Sequence, residues 1–411
     1  MKREYKSFNF LVITLVFLMV ISSCDGKRQR NGRHTTEPQG TNPTQIAITT
    51  KQPKPKVKVY IENSGSMFGF VNKGSEFDDF VSGYLTDLAT NDFCDTIKLN
   101  YVNSKVIPLG SDVNKFIRNL TPQNFKQKGG KLTDTNLSEI FEKVLAEHSI
   151  NTVSILISDC IFSPGNGVDP VKFSAKERDF IKVAFNKELR EGKDLSVMVY
   201  QMNSMFDGVF YPGISKPARI KEKRPYYVWV IGHREYLNEL KASLPENKFK
   251  GGGLVNLYSI MEGGQVVNNA ISPNGPYKLS KSNVNTVTNP KIEERGANRG
   301  TFYVDLNVDL SKLLLDDSYL LNPNNYIVDD KSFNIKISKS GLANFTHKIT
   351  ISSNVILKKK QGIIVRLKTR VPQWVSSLNE TTFGIQSLVE GVTEAFTYKK
   401  DYYTEFKINI E

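Results

Sequence analysis

The chain has 411 residues, 39% hydrophobic and 24% charged, with a formal net charge of +13. That composition belongs to a globular protein of two or three ordinary domains and excludes a wholly disordered or fibrous chain. The positive charge is front-loaded: residues 1–23 carry +2, residues 24–56 a further +5 and the rest about +6. No dense Lys/Arg block with interleaved aromatics occurs, which argues against a nucleic-acid partner.

At the N-terminus, Lys2, Arg3 and Lys6 precede a 12-residue apolar run from Phe10 to Ile21. The length is that of a signal-peptide core and too short for a mature membrane span. It closes with Ile21-Ser22-Ser23-Cys24, which resembles the bacterial lipoprotein cleavage box. That resemblance implies a signal peptide over 1–23, with Cys24 lipidated as the first mature residue. The alternative is an ordinary secretory signal and a chance cysteine. Acyl chains on Cys24 would then hold the protein at a membrane of the cell envelope, the outer membrane being favoured and its face left open. Residues 24–56, rich in Thr, Gln, Asn, Pro and Lys, read as a disordered tether.

From Val57 strands alternate with amphipathic helices. The run Val57 to Ile61 is a strand that stops at Glu62-Asn63-Ser64-Gly65-Ser66-Met67. Phe77, Phe80, Val81, Tyr84, Leu85 and Leu88 then recur at helical spacing. Strands over Thr96 to Val102 and Lys105 to Leu109 follow, close enough for an antiparallel pair, and then a helix from about Ser111 to Leu120. Leu137, Ile140, Phe141, Val144 and Leu145 stripe a further helix, with Asn136 and Glu139 spaced as a cap and its acid. Ser174 and Glu177 form a capping-box pattern for a helix ending near Arg190. The continuous apolar runs Val153 to Ile157 and Val228 to Ile231 suit parallel strands buried on both faces. Another strand is expected over Ser196 to Met202 and a helix near Glu235 to Ala242. Leu195 to Pro225 interrupts the pattern and reads as a surface loop, with a hairpin beside the sheet rim as the alternative.

Beyond Gly251-Gly252-Gly253 short alternating segments appear at Thr301 to Val308, Ser332 to Ser338, Thr346 to Ser352, Ile363 to Lys368 and Tyr403 to Ile410. Their spacing predicts a mostly β domain of sandwich type over 252–411, with one helix over Thr382 to Phe396. Trp374, between Pro372 and Val375, reads as core rather than as an exposed binding aromatic. Cys94 and Cys160 sit at opposite ends of parallel strands, about 15 Å apart at the rise per residue of a strand, so two free, buried thiols are expected.

Three segments carry a resemblance to the von Willebrand factor A domain family. The first is Glu62-Asn63-Ser64-Gly65-Ser66-Met67, similar to the family's Asp-x-Ser-x-Ser with Glu in place of Asp. The second is Gly129 to Leu137, where Thr135 takes the threonine position. The third is Val153 to Cys160, a buried strand ending in Ser158-Asp159, with Cys160 where the family has glycine. The resemblance spans residues 57–245 and implies an α/β fold: a doubly wound, mostly parallel sheet of Rossmann-like character. It also implies a metal-ion-dependent adhesion site with Ser64, Ser66 and Thr135 as ligands, Glu62 and Asp159 as direct or water-bridged acids, and Mg²⁺ (or Mn²⁺ or Ca²⁺) as the cofactor. One coordination position would stay open for a carboxylate of a protein partner. The extra methylene of Glu62 moves its carboxylate by about one bond length, about 1.5 Å, against an ion that demands tight octahedral geometry.

No nucleophile elbow, phosphate loop or zinc-protease helix is present, and His34, His148, His233 and His347 are scattered. His233 sits just past a strand end, where a helix-start role is expected. The reading is therefore a non-enzymatic, lipid-anchored binding protein. The alternatives are a structural envelope protein with an inactive metal site, and a metal-assisted hydrolase.

Overall fold

The computed structural model describes residues 53–132, 136–162, 164, 167–211, 216–354, 361–378 and 381–411. The expected signal peptide, Cys24 and the tether up to residue 52 lie outside the described residues, as does Thr135.

The first strand, β1 (Lys56–Glu62), runs through the centre of a sheet, because its Val57, Val59, Tyr60 and Ile61 are all dry. Helix α1 (Glu76–Thr90) follows, started by Ser75, whose hydroxyl accepts the Asp78 N–H. Then come β2 (Thr96–Val102), β3 (Val106–Gly110), α2 (Val113–Asn119), the short α3 (Pro122–Lys126), α4 (Leu137–Ala146) and β4 (Thr152–Ser158). Asn136 caps α4 through the Ser138 N–H, as its spacing predicted. Helix α5 (Pro170–Arg190) ends where expected but begins four residues before Ser174. Asp169 accepts from Val171 and Lys172 N–H groups, and Pro170 fills the first helical position. That is the stronger start signal, and it leaves the Ser174 and Glu177 pair inside the helix. Ser174 instead meets Ser387, and buried Glu177 accepts the Ser138 N–H.

Strands β5 (Leu195–Phe210) and β6 (Ala218–His233) are each 16 residues long and stay in register from Leu195↔His233 to Phe210↔Ala218. The segment read as a surface loop is thus a long hairpin. Helix α6 (Arg234–Ser243) follows, capped by His233, whose Nδ1 accepts the Glu235 N–H at 3.4 Å. Strand β7 (Asn256–Met261), unsigned in the sequence, then pairs with β5.

The resulting seven-stranded sheet has the order β3-β2-β1-β4-β6-β5-β7. Strands β2 and β4 flank β1 in parallel, whereas β3, β6 and β7 each run antiparallel to their partners. Val228 to Ile231 is accordingly not a parallel strand. Its unbroken apolar run reports burial on both faces, which strand direction does not determine. Alternate residues sort between the faces. Val57, Val59, Ile61, Val228 and Val230 pack with α1 and α6. Tyr60, Leu156, Tyr227, Trp229 and Ile231 pack under α4, α5 and a C-terminal helix, α9 (Ile385–Thr397).

The remaining elements are β8 (Asn269–Ile271), β9 (Lys278–Leu279), β10 (Thr286–Thr288), β11 (Phe302–Val308), α7 (Asp317–Leu320), β12 (Tyr326–Val328), β13 (Asn334–Lys339), β14 (His347–Ser353), β15 (Gln361–Lys368), α8 (Gln373–Ser377), α9 (Ile385–Thr397) and β16 (Tyr402–Ile410). They build a five-stranded sheet, β12-β15-β16-β10-β9, and a four-stranded one, β13-β14-β11-β8. Val304, Leu306, Ile349, Ile351, Val365 and Ile408 join the same apolar cluster as the α1 face of the large sheet. The fold is mixed α/β, with one large mixed sheet and two further sheets that are antiparallel except for β10 beside β16. Residues beyond 252 supply both β7, an edge of the large sheet, and α9, which packs along α5. Arg178 there pairs with Glu390 at 2.7 Å and with Glu394. Cys94 and Cys160 are free, the first half-buried and the second buried. Among the described residues no helix is long and apolar enough to cross a membrane.

Candidate metal centre

Because β1 and β4 are parallel neighbours with Ile61 opposite Ile157, their carboxyl ends deliver Glu62 and Ser158 side by side. The Ser158 hydroxyl donates to Glu62 Oε2. Beyond Glu62 the chain turns through Asn63 and Ser64 into a 3₁₀ turn over Gly65–Gly69. The Ser64 side chain caps nothing there. Its hydroxyl lies 2.9 Å from that of Ser66. Beyond β4, Asp159 enters the same pocket: its Oδ1 accepts the Ile161 N–H at 3.2 Å, the Ser66 hydroxyl lies beside its carboxylate, and Oδ2 has no hydrogen-bond partner among the described residues. Glu62, Ser64, Ser66 and Asp159 therefore meet, as their motifs predicted. Among these four, Glu62 and Asp159 are each only 1% exposed.

Two carboxylates held in a dry pocket disfavour their own charges. Burial first, and then the Asp159 charge, hold the Glu62 carboxyl well above its usual range. Burial likewise raises Asp159, against smaller opposing effects from Ser66, the Ile161 N–H and Arg224. Arg224 acts through space, since its own head is committed elsewhere. It bonds Glu222 at 3.0 Å and the Thr381 carbonyl, and lies 3.8 Å over the Phe210 ring.

The surroundings fix the loop. Asn103 donates to Asn63 Oδ1 and to the Gly129 carbonyl, each at 2.9 Å, and Gly65 N–H donates to the Leu132 carbonyl at 2.8 Å. The described end of the Gly129 motif thus lies against the serine loop. On the other side, Phe206 of the β5–β6 hairpin packs where a side chain at Gly69 would stand, and meets the Phe70 ring edge-on at 5.0 Å. Tyr211, near the hairpin end, lies beside Gly65. The loop after β4 is braced by the C-terminal half: Phe162 N–H donates to the Phe383 carbonyl, and Tyr227 donates to Thr382. Gly384 is required in that brace, since its φ is +108° and Phe162 occupies the space a side chain would need.

Cys160 has φ +56°, the left-handed backbone that glycine adopts most easily. Cysteine is held there because its Sγ accepts the Trp229 indole N–H at 3.2 Å in a dry site. Sequence reasoning missed the Asn63–Asn103 bridge, Ser158 as the partner of Glu62, and Arg224. Ser158 stood in the motif itself, whereas Arg224 lay in a stretch read as loop.

The chain matches no protein-family model, no curated protein and no solved structure. The case for a cation rests on the donor set alone. Among the described residues no three His, Cys, Asp or Glu side chains gather as metal ligands. What gathers is two carboxylates and two hydroxyls, all hard oxygen donors of the type that suits Mg²⁺, Mn²⁺ or Ca²⁺. The orphaned Asp159 Oδ2 and the uncompensated charge of the pair both fit a cation in this pocket.

Proposed function

We propose that this is a non-enzymatic binding protein whose large domain resembles the von Willebrand factor A family and holds a divalent cation between Glu62, Ser64, Ser66 and Asp159. A bound cation would supply a Lewis-acidic position for a carboxylate of a protein partner. The observation that carries the reading is the convergence of two buried acids on adjacent strand ends with paired hydroxyls and, among the described residues, no hydrogen-bonded counter-cation. Ser64 and Ser66 orient their oxygens toward each other, Asn63 and Asn103 hold the loop, and Ser158 holds Glu62 by one oxygen. Tyr211, in the described part of the hairpin, lies beside Gly65 of the loop. Thr135 completes the ligand set in this reading, and the two C-terminal sheets form the sandwich-like part.

Lipidation at Cys24 places the protein at the bacterial envelope in the same reading. Loss of radiolabelled palmitate from a Cys24→Ala variant tests that point. Calorimetric titration of the full chain with Mg²⁺ and Mn²⁺ tests the centre itself. Saturable heat that disappears in Ser64→Ala supports it, and a heatless titration of folded protein at millimolar metal overturns it in favour of a structural protein with an inactive site.

A further inference from the structure

A cavity of about 300 Å³ opens between α6, β7 and the segments carrying Tyr319 and Trp374, and none of the candidate metal ligands lines it. Six consecutive residues, Leu254 to Ser259, form one wall. Tyr319 and Trp374, both half-buried, also line it. Lys241, Glu246, Asn256 and Asp316 supply polar groups to the lining. Glu246 Oε1 is buried without a hydrogen-bond partner among the described residues. The Lys241 ammonium is 3.2 Å from it, outside hydrogen-bond geometry. Asn256 gives its amide N–H to Gln201 at 2.5 Å, and Asp316 spends Oδ1 on the Tyr319 N–H at 2.9 Å.

We propose that this cavity binds one pyranose ring of a neutral carbohydrate. A pyranose presents apolar C–H faces and a rim of hydroxyls. Aromatic surface flanked by a carboxylate, a carboxamide and an ammonium complements both. The volume lies at the small end of ligand sites, suited to one ring and not to a long chain. Lys241 is held beside Glu246 and Asp316 adds a second carboxylate, so the lining does not favour an acidic sugar. Nor does the edge of β7 invite an added peptide strand. The Ser259 carbonyl takes the Tyr403 hydroxyl and the Ser259 hydroxyl goes to the Leu314 carbonyl, both at 2.7 Å, which closes that end.

The chain has two tryptophans, and they report on different places. Trp229 is fully buried beside Cys160, and Trp374 lines the cavity. Full-length protein is titrated with glucose, galactose, mannose and N-acetylglucosamine to tens of millimolar while emission is followed. At least one sugar shifts the emission saturably, and the shift vanishes in Trp374→Phe. Saturation-transfer NMR then gives binding about tenfold weaker in Trp374→Ala, with a parallel loss in Glu246→Gln at unchanged melting temperature. The proposal falls if no sugar gives a saturable change, if the shift survives in Trp374→Phe, or if both weakened variants bind normally. It also falls if the capped peptide acetyl-Val-Tyr-Val-amide saturates the signal where the sugars do not.

Discussion

At Glu62 and Asp159 the protein keeps two acids where water cannot stabilise their charge. Both carboxyls lie above their ordinary values of 4.5 and 3.8. Their contribution to stability is therefore fully present below those values and is lost as pH rises through the folded ones. In chelator, the melting temperature should fall as pH climbs above about 5, and Glu62→Gln should flatten the fall and add about 2 kcal/mol near neutrality. Added Mg²⁺ should restore more stability at high pH than at low pH, because deprotonated ligands bind it. A metal-free melting profile that stays level with pH would contradict this account of the pair. Cys160 gives a second test at this scale. Cys160→Gly relieves a left-handed backbone but strands the Trp229 N–H, so urea unfolding should place it within about 1 kcal/mol of the parent. Cys160→Val adds a β-branched strain to the same loss and should cost about 3 kcal/mol or more.

Among the elements, the β5–β6 hairpin packs against the loop of the candidate centre. Its outer half is tied to the serine loop chiefly by Phe206, which is 1% exposed and seated against Gly69 and Phe70. Phe206→Ala should cost about 3–5 kcal/mol and should raise hydrogen exchange in the outer hairpin more than in β1 or β4. Equal protection throughout would show that the hairpin is held by something else. The start of α5 makes a smaller claim: Asp169→Ala should cost about 1 kcal/mol, whereas Ser174→Ala should leave the helix start unchanged.

In the whole molecule, the two halves of the chain depend on one another. β7 covers the edge of β5, and α9 covers Ile181 and Phe185 of α5, yet both arise beyond residue 252. A fragment of residues 53–245 would expose that edge and that apolar face. It should lack a cooperative melting transition and near-ultraviolet circular dichroism. A fragment that melts sharply would show that the N-terminal part is self-sufficient.

The sequence by itself marked β1 to β4, α1, α2, α4, α5, the inner parts of β5 and β6, α6, β11, β13 to β16 and α9, but not α3, the outer hairpin, β8 to β10, β12, α7 or α8, because period-2 and period-3.6 patterns show only where a face must bury several residues in a row. Glu62, Ser64 and Ser66 were legible in the same way, since an apolar run that ends in oxygen side chains marks a strand's carboxyl end, whereas Asp159 entered only through the family resemblance. The direction of β6 was not legible, as a strand dry on both faces reads alike either way round. Neither were β7, the reach of Arg224 toward Asp159, or the Asn63–Asn103 bridge, all of which join segments tens of residues apart. The tertiary structure decided those, because pairing partners and through-space charges are fixed only when distant segments share one core.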